Sequence, residues 1–222
     1  MMDKMIGKMA KMFPMMIIMG FVIVMVAFFV GYSNSQTAAA YFAESKIVRE
    51  TTMMAQRASM ESIGLWMPPF KFLGIGFILA GIAMALRIII DHLKGVGEEV
   101  LSNLPASTRP QLPAAPWYGR MMPMVMMLGE MFFFIAFGVG LWLSGIARTV
   151  FANPMPTIDA AGPGSTLLVG IQTIHIVEGW LVPFKFFAIS TEFLAITMGL
   201  ATIIFILSAQ TKMLSGVLGS GK

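Results

Sequence analysis

Glu130 and Glu192 each interrupt a run of apolar residues long enough to cross a bilayer. An ionisable group at that depth costs several kcal/mol when unpaired, so it marks a functional position unless a neighbouring helix satisfies it. Each glutamate lies nine positions into its run, and the two runs enter from opposite faces. Nine residues rise about 14 Å along a helix, which places both carboxyls near mid-membrane. Two carboxyls at one depth could share a proton, relay protons or bind a cation. The competing reading is a structural polar contact to another helix or another subunit.

Other groups carry further chemical signals. Lys71 and Lys185 each sit in a Phe-Lys-Phe triplet, near Trp66 and Trp180 respectively. Lysines so placed snorkel to the headgroups and tryptophans populate the interface, so anchoring is the expected role. The functional alternative is a pair of sites for lipid phosphate or another anion. Gln172, His175 and Glu178 recur every three residues. His175 and Glu178 are the metal-ligand candidates, but one imidazole and one carboxylate fall short of a coordination set. The 23 methionines include Met121, Met122, Met124, Met126 and Met127 in one apolar run, where thioethers fill gaps rather than bind copper. No nucleophile elbow or phosphate-binding glycine loop is present. No cofactor is expected, nor any catalytic activity of the chain's own.

The elements that must position these residues follow from composition. Of 222 residues, 57% are hydrophobic and only 12% charged, with 15 basic against 11 acidic. The mean hydropathy is +0.81. So few charges cannot cover a soluble domain of this size. A cytosolic enzyme, a disordered tail and a nucleic-acid-binding module are therefore excluded. The lipid bilayer is the first partner, with other membrane subunits or self-association second and no nucleic acid. Absence of cysteine removes disulfides and thiolate metal sites together.

A helix needs about 20 apolar residues to span the hydrocarbon core. Four stretches qualify, at 13–32, 69–90, 121–143 and 183–207. The fold class is thus all-α integral membrane with four transmembrane helices. The Lys and Arg census sets the orientation. Lys4, Lys8, Lys11, Arg87, Lys94, Arg109, Arg120, Lys212 and Lys222 fall on one side, nine in all. The other side holds six: Lys46, Arg49, Arg57, Lys71, Arg148 and Lys185. The bias puts both termini in the cytoplasm. His92 and His175 then lie on opposite sides and cannot share one haem or copper. Residues 1–12 alternate lysines with methionines and read as an amphipathic interfacial lead-in to a retained first span rather than a cleaved signal.

The two halves of the chain resemble each other. Shifted by 109 residues, Pro14, Gly20, Ala27 and Gly31 fall on Pro123, Gly129, Ala136 and Gly140. Shifted by 114, Trp66, Pro69 and Phe70-Lys71-Phe72 fall on Trp180, Pro183 and Phe184-Lys185-Phe186. Chance alignment of apolar residues does not readily supply a Trp, a Pro and a Phe-Lys-Phe cluster in register. The chain reads as two tandem two-helix repeats, 1–91 and 120–222, related by a parallel pseudo-twofold axis. Each span also carries a small-xxx-small pair suited to close helix packing: Ala27 and Gly31, Gly81 and Ala85, Ala136 and Gly140, Ala195 and Gly199. An outer helix is expected over 38–60, a Pro-rich cytoplasmic linker over 92–119, and an outer connection over 144–179 whose apolar end lies on the surface.

Three functional classes fit. The first is a non-catalytic integral-membrane subunit or scaffold of a larger complex, which accounts for the lack of a ligand constellation. The second is a small oligomeric channel or proton-coupled transporter using Glu130 and Glu192. The third is a component of a metal- or quinone-dependent membrane enzyme.

Overall fold

A computed structural model describes residues 12–103, 109 and 114–219. Among these, every regular element is an α-helix: α1 (Phe13–Ala43), α2 (Lys46–Thr51), α3 (Met54–Ser102), α4 (Trp117–Phe151), α5 (Met155–Asp159) and α6 (Thr166–Gly219). Four of them, α1, α3, α4 and α6, are long and apolar enough to cross a membrane, which marks the chain as an integral membrane protein. The lead-in at 1–11, with Lys4, Lys8 and Lys11, lies outside the described residues, as do 104–108 and 110–113 of the Pro-rich linker and Lys222.

The helix ends differ from the sequence expectation in three places. The stretch 38–60 is not one outer helix. Residues 38–43 finish α1, α2 stands alone, and 54–60 begin α3. Ser45 causes the first break by capping α2, its side chain accepting from the Val48 N–H at 3.4 Å. Secondly, the apolar run after Thr166 continues through Pro183 into the span, as one helix of 54 residues. Ser165 caps it by accepting from the Leu168 N–H at 3.3 Å. Thirdly, α3 runs through Pro68 and Pro69 and on to Ser102, so the linker begins as helix. At 1.5 Å per residue, the 49 residues of α3 reach about 73 Å, well beyond the bilayer core.

The prolines at 69 and 183 read as span starts because proline favours the first helical turn. Inside a helix proline forfeits one hydrogen bond, a loss that close packing of neighbouring helices tolerates in membrane spans. Pro69 is fully buried, with Gly140 of α4 against its ring. Between α5 and α6 the chain turns at Gly162-Pro163-Gly164, where Gly164 takes φ +78°, a conformation that favours glycine.

The chain divides into two compact units, each drawing on all four long helices. One comprises the described parts of Met1–Ile18, Phe77–Gly129 and Ser190–Lys222. Its core gathers Ala80, Ala83 and Met84 of α3, Met122 and Met126 of α4, and Ala195, Met198 and Ile206 of α6. The spacing of these residues, three or four apart and eight from Met198 to Ile206, is that of one helix face. Phe13 and Met16 of α1 pack against the cluster. Gln210 of α6 donates to the Leu93 carbonyl at 2.8 Å.

The other unit comprises Met19–Gly76 and Glu130–Ile189. Its core holds Leu65, Ala136, Leu143, Ala147, Ile174 and Leu181. Within it Ser62 and Ser144 form a buried hydroxyl pair at 2.6 Å. Such a bond ties α3 to α4 where lipid offers no competing partner. The two short helices α2 and α5 contact each other in this unit.

Candidate functional site

Glu192 is wholly buried in the first unit. The helix opposite accommodates it because residue 129 is glycine. A Cβ on Gly129 would come within 2.5 Å of Glu192 Oε1 and 2.9 Å of its carboxyl carbon. Ala195 and Met198 follow on the same face of α6 and join the methionine-rich core. One turn further, Thr202 is buried, returns its hydroxyl to the Met198 carbonyl at 2.7 Å and packs where a side chain on Gly119 would collide with it.

Glu130 belongs to the second unit, on α4. Both its carboxylate oxygens are buried, and neither has a hydrogen-bond partner among the described residues. Burial of an uncompensated carboxylate costs several kcal/mol. The group therefore needs either a counter-charge or a hydrogen-bond donor to complete it.

The two Phe-Lys-Phe triplets, alike in sequence, have different surroundings. Lys71 is exposed, whereas Lys185 is 7% exposed, with Nζ 5.3 Å from the Phe72 ring centroid. A cation over an aromatic face is held by the ring quadrupole. Phe72 also meets Phe186 edge to face, ring centroids 5.9 Å apart. The two tryptophans make matching contacts: Trp66 with Phe70 at 5.5 Å and Trp180 with Phe184 at 5.7 Å.

The small residues lie at helix crossings. In the second unit Ala27 and Ala136 are buried, Gly31 faces the Met67 sulfur, and Gly140 faces Pro69 and the Leu65 carbonyl. In the first, Gly81 faces Ile17 and the Phe13 carbonyl, Ala195 is buried and Gly199 faces Leu86 and Met122. Ala85 is half-buried.

His175 and Glu178 line an open pocket of about 190 Å³ in the second unit. Its walls are Glu61, Gly64 and Leu65 of α3, Phe151 of α4, and Ile171 and Ile174 of α6. Gln172 is exposed and is not part of the lining. Among the described residues no three His, Asp or Glu side chains converge closely enough to hold a metal ion. Sequence reasoning passed over Glu61, which lies in a polar stretch with nothing local to distinguish it. The shift of 114 was the available signal, because it superposes Glu61 on His175.

No protein-family model, no curated protein and no solved structure matches this chain.

Proposed function

We propose that this protein is a non-catalytic integral-membrane subunit or scaffold that acts through helix contacts within a larger membrane complex. The observation that carries this reading is the apolar surface of α1. Only 11% of its most apolar window is buried inside the chain, against 50% for α3. Met15, Ile18, Phe21, Val22, Met25, Phe28 and Phe29 all point outward. A helix so little used by its own chain is available to a neighbour, and in lipid such contacts form by packing.

The same reading includes a tandem duplication with parallel pseudo-twofold symmetry and both termini cytoplasmic. The element order supports the duplication, running long, short, long twice. Register supports it too. Gly81 lies against Phe13 and Ile17, and Ala195 shares a core cluster with their counterparts Met122 and Met126. Phe72 and Phe186, counterparts under the shift of 114, touch each other as residues flanking a twofold axis would.

Glu130 supports a second reading, a small oligomeric channel or proton-coupled transporter. Its buried oxygens, without a hydrogen-bond partner among the described residues, are what a proton- or cation-carrying position requires. Glu130→Gln and Glu192→Gln separate the two. Variants that assemble normally but abolish ion or substrate flux in proteoliposomes refute the scaffold. Variants that only drop out of the purified complex refute transport.

A further inference from the structure

The pocket lined by Glu61, Phe151, His175 and Glu178 joins three features that no part of the scaffold reading requires. It has room: 190 Å³ slightly exceeds the roughly 150 Å³ of a cavity that takes benzene. Its floor is apolar, built from Leu65, Phe151, Ile171 and Ile174. Its polar groups are two carboxylates and an imidazole, with no lysine or arginine among the lining residues. Among the described residues neither carboxylate is in an ion pair. Two cations border the pocket without lining it: the Arg57 guanidinium lies 4.7 Å from the Phe151 ring centroid, and Lys185, over Phe72, feels the charge of Glu178.

The lining also has internal order. Under the shift of 114, Glu61 falls on His175 and Gly64 on Glu178, so α3 and α6 contribute the same register positions to one pocket. Transporter binding sites form at repeat interfaces in the same manner. That correspondence rests on the duplication, whereas the chemistry of the lining does not. The two copies have diverged into different groups, acid and glycine on α3, imidazole and acid on α6. Divergence of this kind makes a two-sided site for an asymmetric ligand. A metal ion would need a third converging ligand, which the described residues do not supply. An anion would meet two carboxylates. An ammonium ion with a small apolar body matches both the rim and the floor.

We infer that this pocket is a binding site for a small organic ammonium ion, its charge between Glu61 and Glu178 and its apolar body on Phe151 and Ile174.

The test uses the full chain in nanodiscs with benzylammonium as probe and benzyl alcohol as its neutral control, read by saturation-transfer NMR. Saturable binding of benzylammonium, absent for benzyl alcohol, is expected. The Glu61→Gln/Glu178→Gln double variant is expected to weaken it about tenfold. Gly64→Leu should abolish it while leaving the fold intact, because a Cβ there meets nothing within 4 Å. Unchanged helical circular dichroism verifies that both variants fold. Equal uptake of probe and control overturns the assignment, as does binding that survives Gly64→Leu. Preferential saturation by Zn²⁺, lost in His175→Ala, overturns it in favour of a metal. None of these outcomes bears on the duplication, which stands on register and element order.

Discussion

Two glycines of α4, two residues apart, should respond to the same substitution with opposite signs. At Gly140 a Cβ would come 2.5 Å from the Pro69 ring and 3.1 Å from the Leu65 carbonyl oxygen. Neither can rotate away, since one is a buried ring and the other is backbone. Overpacking of that kind costs about 1–3 kcal/mol, against which alanine recovers up to about 1 kcal/mol of helix propensity over glycine. With the full propensity gain subtracted, Gly140→Ala should lose up to about 2 kcal/mol. At Gly138 a Cβ meets nothing within 4 Å, so Gly138→Ala keeps the propensity gain of up to about 1 kcal/mol and loses nothing. The propensity gain is common to both, so the two variants should differ by the overpacking cost, about 1–3 kcal/mol. Steric trapping in bicelles measures this difference directly, with helicity by circular dichroism as control. Equal stability of the two variants, or greater stability of Gly140→Ala, would refute the packing of α4 on α3 at Pro69.

Three further outcomes are expected. Ser62→Ala should cost about 1–3 kcal/mol by leaving the Ser144 hydroxyl buried and unpaired, whereas Ser62→Ala/Ser144→Ala should lie near wild type; thermal melts in detergent compare them. Because the chain has no cysteine, Ser62→Cys/Ser144→Cys should oxidise to a single intramolecular disulfide, visible as one cross-linked peptide by mass spectrometry. Glu130→Met should raise stability by about 1–3 kcal/mol, since it removes two buried oxygens with no hydrogen-bond partner among the described residues; a loss of similar size would mean that Glu130 has a partner in the folded chain.

The spans were legible in the sequence because apolar runs of bilayer length leave few alternatives. Their ends were not. Pro69 and Pro183 carry a local signal for a helix start, and only the packing of Gly140 onto Pro69 shows why α3 passes through it. The same limit applies to side-chain environment. Lys71 and Lys185 have identical flanking residues, yet one is exposed and the other lies over Phe72, a contact set by which helix stands opposite. Glu130 and Glu192 stood out by type and depth alone, whereas Glu61 needed a partner 114 positions away to become visible.

The most direct test of the proposed role is the native mass of the protein after gentle extraction from its own membrane. A complex containing distinct co-purifying membrane subunits, cross-linkable to α1 through cysteines placed at Ile18 or Met25, is expected. A monomer, or a homo-oligomer that conducts ions on its own in a bilayer, would contradict it.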